Sequence, residues 1–460
     1  MAALAWIFLS VAFGCLLVYR FAGLRALEPR WAAYLLVFGA GAPIGIGITS
    51  CLFFVLRPIL PGVPQLALWV RLALLAALAY DCWRKRPPAA IEPEPLPRFP
   101  YMPLLWIAFA LSLGVVTYAM STAWQANPQG NWDAWAIWNL RARFLAAGDG
   151  LASRAWSPLL SFTHPDYPLL LSGFVASVWA DCGSVTNVAP IAASYLFFLA
   201  LLATVVGGIA ALRGAVPGVL AGLCLMGIPP VLHEVTSQYA DVPLASFMAG
   251  ATIFALLDCP AMAGVLAGFA AWTKDEGVLF LAILFVAIAA LKRPRLLRFC
   301  YGAAPAAALV LVFKFVIARG TNSLMGGAQG SMPSKLGDWN RYQITASAIA
   351  RELLTWNVGW YHPVLPIVVL ASVLGFDRSR VRDGLFCLAI GLSLLLGYFG
   401  VYVITPYELR WQLQSSLTRL FVQICPILLI AAFVAIRAPE RAPVAEPVKP
   451  DVRHRRKGKR

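Results

Sequence analysis

Residues 188–212, VAPIAASYLFFLALLATVVGGIAAL, run for 25 positions without an acid or a base. A helix needs roughly 20 predominantly apolar residues to cross a bilayer core, so this stretch reads as a membrane span. Working outward, comparable apolar segments fall at about 3–19, 31–56, 66–80, 101–123, 215–232, 242–257, 261–273, 278–291, 299–318, 361–376, 384–404 and 420–436. The pattern predicts an all-α fold, a polytopic transmembrane helical bundle of about 13 spans. Composition agrees: 60% of the 460 residues are hydrophobic and 13% charged. Soluble domains carry about a quarter charged residues, which excludes a soluble multidomain enzyme. A membrane β-barrel would alternate with period two, and no such alternation is visible.

Basic residues set the orientation. Arg84, Lys85 and Arg86, the 292–298 run, Arg378, Arg380, Arg382 and the 453–460 tail all fall on one side of this topology. That side holds 24 of the 37 Lys+Arg and 10 of the 21 Asp+Glu; the other holds 11 of each kind, and Arg71 and Lys314 lie within the membrane. The basic side is therefore cytoplasmic and the N-terminus outside. The +16 net charge is a topology signal and a contact with membrane lipids of the cytoplasmic leaflet, not a nucleic-acid footprint. The first segment has no basic n-region or cleavage site and reads as a retained span. The nine cysteines form no CxxC pair, so no disulfide framework is expected.

The chain divides into three N-terminal spans (1–80), a Pro-rich cytoplasmic linker (81–100), a second module (101–436) and a basic, disordered cytoplasmic tail (437–460). Within the second module, 124–187 is a long first outer loop, and the Gly- and Ser-rich segment 319–360 reads as a mobile outer loop or a plain connector. Trp135 to Leu145 has helical spacing, with Trp135, Trp138 and Leu145 available for one face, and predicts an interfacial amphipathic helix. Pro168 to Trp179 is too short to span and is expected to lie along or dip into the surface. No internal repeat is found, hence no inverted-repeat transporter signature.

Polar chemistry gathers on the extracytoplasmic face. Asn131-Trp-Asp-Ala-Trp-Ala-Ile-Trp-Asn-Leu-Arg141 holds one acid, Asp133, among three tryptophans. Such a carboxylate suits a general base, and an aspartate before a helix also suits an N-cap. In His164-Pro-Asp-Tyr-Pro168 the prolines stiffen a segment that carries His164, Asp166 and Tyr167, which suits substrate positioning or an ordinary loop-to-helix junction. Asp241 opens a span after Ser237-Gln-Tyr-Ala240, either as a cap or as a second carboxylate facing Asp133. Lys274-Asp-Glu276-Gly separates two half-length apolar segments; charges there should face a polar cavity or a turn in water. Arg410 and Arg419, in a last outer loop, suit a phosphate or anionic headgroups. Arg71 and Lys314 read as snorkelling side chains, and His233 and His362 as lone interfacial histidines.

The order of these elements resembles the GT-C integral-membrane glycosyltransferases. It comprises an acid in a long first outer loop, a His-Pro element, an aspartate opening a later span in Gln238-Tyr-Ala-Asp241, and Gly268-Phe-Ala-Ala-Trp-Thr-Lys274. The nearest branches are bacterial relatives of protein O-mannosyltransferases and of the aminoarabinose transferase that modifies lipid A, and the likeness covers roughly residues 101–436. Asp166 stands where a second proline is usual, and Ala134 follows Asp133 where the mannosyltransferases often have a second acid.

The resemblance implies a multi-pass enzyme of the bacterial inner (cytoplasmic) membrane with an extracytoplasmic active site. It would move a sugar, with inversion, from a polyprenyl-phosphate donor to a glycolipid, a lipopolysaccharide or cell-envelope glycan, or a protein. Asp133 would be the general base and Asp241 a second catalytic acid. His164, Asp166, Tyr167, Lys274, Glu276, Arg410 and Arg419 would bind substrate. No cofactor is required, and no metal is expected, because the acids are few and side-chain cations suffice. The rivals are a flippase or transporter for a lipid-linked glycan, and a glycan polymerase.

Overall fold

The computed structural model describes residues 2–24, 27–59, 63, 65–85, 99–147, 150–319, 331–356, 362 and 364–439. The Pro-rich stretch of the linker (86–98), the glycine-rich part of the expected mobile loop (320–330) and the basic tail from 440 lie outside the described residues.

Among the described residues the chain is helical throughout, with one isolated bridge between Phe376 and Ile436. Four helices come first: α1 (Ala2–Phe21), α2 (Arg30–Ile59), α3 (Leu66–Arg84) and α4 (Met102–Ala126). The long connection after α4 then holds a π-helical stretch (Ala134–Asn139), α5 (Leu140–Ala147), two 3-10 stretches (Ala152–Trp156 and Pro158–Thr163) and α6 (Leu170–Cys182). Next come α7 (Val188–Arg213), α8 (Ala215–Met226), α9 (Pro229–Thr236), α10 (Asp241–Leu256), α11 (Pro260–Thr273) and α12 (Asp275–Leu291). The described chain ends with α13 (Leu296–Val312), which runs on as a π-helix (Phe313–Ile317), then α14 (Met332–Gly337), α15 (Trp339–Thr355), α16 (Leu365–Leu374), α17 (Val381–Ile404) and α18 (Leu409–Ala435).

Among the described residues eight helices are long and apolar enough to cross a membrane: α1, α2, α3, α4, α7, the Arg293–Ile317 unit containing α13, α17 and α18. The α8–α9 pair, bent by 64°, makes a ninth if it is one broken span. This is the pattern of a multi-pass helical membrane protein. The expected count of 13 is corrected. The segments at 242–257, 261–273, 278–291 and 361–376 fold as α10, α11, α12 and α16, with 16, 14, 17 and 10 residues. At 1.5 Å per residue even 17 residues reach only about 26 Å, short of a hydrocarbon core about 30 Å thick. α10 has protein rather than lipid around it: it is buried from Asp241 to Ala255 and packs on α7, α11 and α18.

The N-terminal helices are built into this core. α2 packs against α1, α6 and α7. Gly45 lets α2 close on α1, since a Cβ there would lie 1.9 Å from the Ser10 carbonyl oxygen. Ser50 donates to the Leu169 carbonyl at 3.0 Å and accepts from the Trp272 indole at 3.2 Å. Arg71 does not snorkel. It is buried, pairs with Asp181 of α6 and donates to the Ala67 carbonyl at 3.2 Å.

Two segments of the connection after α4 are packed into the protein. Nearly all of α6 is buried, against α2 and α5. The Trp135–Leu145 segment is helical, but Trp138 and Leu145 are buried while Trp135 is exposed and meets Trp132 edge-on at 4.6 Å. The i→i+5 winding of residues 134–139 turns less per residue than an α-helix, so positions three apart no longer share a face.

Removing one partner of the Arg71–Asp181 pair leaves a buried charge alone. Arg71→Met is expected to destabilise the protein by about 3–5 kcal/mol, and Arg71→Met with Asp181→Leu to recover most of that loss. Thermal unfolding in detergent checks this, and equal midpoints for the single and double variants would contradict it.

Candidate functional site

Asp241 is the hub. It opens α10 with its side chain fully buried. Its Oδ1 accepts from Lys274 Nζ at 2.9 Å and from Gln423 Nε2 at 2.5 Å. Its Oδ2 accepts from Arg419 Nε at 3.1 Å and Nη2 at 2.9 Å. The helix-cap alternative therefore gives way, because the carboxylate is used on the α11–α12 junction and on α18. Gln423 is itself oriented by the Tyr398 hydroxyl, which donates to its Oε1 at 2.7 Å.

Arg419 carries the network to the connection that follows α4. Its Nη2 also donates to Asp133 Oδ2 at 2.6 Å, and its Nε lies 3.7 Å from Glu234 Oε2. The Tyr239 ring covers the guanidinium, 4.4 Å from centroid to Cζ. Asp133 sits in the first turn before the π-helix and makes no capping bond with its side chain. The loop that presents it is docked on the α9–α10 junction. Asn131 N donates to the Ser237 carbonyl at 3.1 Å, Asn131 Nδ2 to Ser237 Oγ at 2.8 Å, and Gln238 Nε2 to the Pro128 carbonyl at 3.1 Å. Gly130 is needed here: its φ is +71°, and a Cβ would meet the Ser237 carbonyl at 2.5 Å.

Lys274 lies at the α11–α12 junction, and its Nζ also meets Glu276 Oε1 at 3.0 Å. That turn is internal: Lys274 is buried, and Gly277 packs with no room for a Cβ against the Ala270 carbonyl. Lys314, on the π-helical end of α13, is tied to the same corner rather than snorkelling. Its Nζ is 2.6 Å from Asp275 Oδ1 and donates to the Asp166 carbonyl at 2.6 Å.

The His164–Tyr167 segment forms a wall beside these charges. Tyr167 stacks between His164 at 4.8 Å and Trp138 at 5.7 Å, and Lys274 Nζ lies 6.0 Å from its ring centre. Buried Arg141 holds the segment, donating to the carbonyls of Thr163, His164 and Tyr167 at 2.9, 2.8 and 3.1 Å. This lets His164 sit at a φ of +48°. Burial lowers the His164 imidazole below its ordinary range, against the opposing pull of Asp166 and Asp133, so it is neutral at pH 7. Its Nδ1 is buried and has no hydrogen-bond partner among the described residues.

Of the residues expected at the site, Asp133, Asp241, Lys274, Glu276 and Arg419 are joined directly, and His164, Asp166 and Tyr167 form the adjoining wall. Arg410 is not brought in. It is exposed near the start of α18 and forms no ion pair among the described residues. Nor is Arg419 in a loop, since α18 begins at Leu409 and places it well inside the helix. Nine helical positions separate the two arginines, which puts them on opposite faces. Sequence reasoning missed Gln423, Glu234 and Arg141 and read Lys314 as unrelated to the site. Gln423 had a signal, being polar in an apolar run and four residues after Arg419. Among the described residues no three His, Cys, Asp or Glu side chains gather as a metal would need.

Arg419→Gln strips the shared cation from Asp133 and Asp241 and is expected to cost about 3–5 kcal/mol of stability. Arg410→Gln should stay within about 0.5 kcal/mol of wild type. Thermal unfolding of both variants checks the contrast, and a matching loss in Arg410→Gln would sink it. No family model, curated protein or solved structure matches the chain, so what this network does is read from its own geometry.

Proposed function

We propose that the protein is a membrane glycosyltransferase of GT-C type in the bacterial inner membrane, with its site on the extracytoplasmic face. It transfers one sugar from a polyprenyl-phosphate donor to a glycan, lipid or protein acceptor. The observation that carries this reading is the exposure pattern of the network. Asp241 and Lys274 keep 0% and 5% of their side chains exposed, whereas Asp133 and Arg419 keep 16% and 17%. A carboxylate and a guanidinium thus face the solvent side together, backed by buried partners that fix their positions. Arg419 uses Nε and Nη2 on Asp241 and Asp133, and its Nη1 has no partner among the described residues.

The chemistry follows from that pairing. Asp133 accepts the proton of an acceptor hydroxyl as its oxygen attacks the anomeric carbon. The bond from that carbon to the phosphate oxygen breaks on the opposite face, giving inversion, and the lipid phosphate leaves with the electron pair. Arg419 Nη1 meets the developing phosphate charge, and Lys274 supports it through Asp241. His164, neutral at pH 7 with a free Nδ1, offers a hydrogen bond to a sugar hydroxyl without adding charge.

The test is sugar transfer by the purified full chain supplied with a polyprenyl-phosphate sugar. Asp133→Asn keeps an oxygen for Arg419 but cannot take the proton, so the rate is expected to fall about 10²–10⁴-fold with unfolding unchanged. Full transfer by that variant would remove Asp133 as base. No transfer by wild type, together with movement of a lipid-linked glycan across vesicles, would favour a transporter.

A further inference from the structure

A cleft whose roughly 540 Å³ of empty space includes its open mouth lies between the end of α2 and the first outer loop. Phe53, Leu145, Leu169 and Ile317 give it apolar walls, and no acidic residue lines it. Arg57, from the last turn of α2, also lines it and forms no ion pair among the described residues. Its Nη1 is buried and has no hydrogen-bond partner among the described residues. Trp156, across the cleft on a 3-10 stretch, has an indole Nε1 in the same state. Buried donors are satisfied in the great majority of cases, because leaving one unmade costs about 1–3 kcal/mol. Two unanswered donors, one of them cationic, beside an apolar cavity call for a ligand with anionic oxygens and a hydrocarbon chain.

The surroundings point to the bilayer as its source. Ile59, two residues beyond Arg57, and Val316, next to Ile317, are 63% and 70% exposed, apolar surface of the kind that faces lipid in a membrane protein. No residue of the cleft belongs to the network around Asp241, so a phosphate held at Arg57 is a different phosphate from one met by Arg419. We infer that this cleft is a binding site for an anionic phospholipid: one acyl chain enters between α2 and the outer loop, and the phosphate oxygens take the Arg57 guanidinium and the Trp156 indole N–H. The inference does not depend on the transfer reaction.

Native mass spectrometry of the purified full chain, delipidated and titrated with dioleoyl phosphatidylglycerol or dioleoyl phosphatidylcholine, tests it. Wild type is expected to retain one phosphatidylglycerol at least tenfold more tightly than phosphatidylcholine. Arg57→Ala should erase that preference. Ala152→Phe, which fills the cleft and keeps the arginine, should weaken retention of both lipids. Asp133→Asn should bind as wild type does, which separates this result from any outcome of the transfer assay. Equal retention of the two lipids by wild type, or an unchanged preference in Arg57→Ala, would overturn the site. So would displacement of phosphatidylglycerol by an equimolar polyprenyl phosphate in an Arg57-dependent manner, since the cleft would then belong to the donor.

Discussion

A carboxylate with no exposed surface has to find its charge balance inside the protein, and the arrangement around Asp241 follows from that constraint. One oxygen is taken by Lys274 and Gln423 and the other by Arg419. These partners come from the α11–α12 junction and from α18, so a single buried charge fixes the relative positions of three helices. Removing an ion from water costs several kcal/mol even after relaxation, so each bond to Asp241 is made under a strong requirement. The geometry at the exposed end of the network is inherited from the buried end. Asp133 is placed because Arg419 is placed, and Arg419 is placed by Asp241.

The loop side is held by a different means. Arg141 is buried and spends its donors on three backbone carbonyls, which would otherwise be unsatisfied at a bend of the chain. That lets the His164–Tyr167 segment fold tightly enough to stack His164 and Trp138 on the two faces of Tyr167. Lys314 secures the same bend from α13 through the Asp166 carbonyl. The aromatic wall and the charged hub are thus two rigid bodies that meet where Lys274 approaches the Tyr167 ring. Sites held by packing and by outer hydrogen bonds keep their geometry when a ligand arrives.

Much of this was legible in the sequence, and the failures have physical causes. Long apolar runs such as residues 188–212 carry their own evidence for a span, because the bilayer imposes a length. Short apolar runs do not: residues 242–257 look like a span and form a helix buried in protein, since hydropathy does not distinguish a lipid surround from an apolar protein surround. The charged positions of the network were readable because charge is rare in this chain. Which of them pair was not, since pairing depends on helix rotation. Arg410 and Arg419 look equivalent in sequence, and α18 turns only one of them inward. Arg71 and Lys314 show the same limit, as snorkelling and burial are indistinguishable until a partner such as Asp181 or Asp275 is in place.

The charge balance of the hub bears on how an anionic donor could be accommodated. Among the described residues Asp133, Asp241, Glu234 and Glu276 pair with Arg419 and Lys274, and Glu234 also meets His233, so the site carries no surplus of permanent positive charge waiting for a phosphate. On the proposed reading, a lipid phosphate is met first by Arg419 Nη1, and once there it competes with the carboxylates for the guanidinium. Asp241 is a poor competitor to displace, since it is buried and held by three side chains, whereas Asp133 is partly exposed and held by one. Asp133 is therefore the group that yields. On that reading Asp133 Oδ2, once released from the guanidinium, is free to take a hydrogen bond from the acceptor hydroxyl. Donor binding and activation of the base then become one event, and the ion pair keeps the base occupied until the sugar is in place.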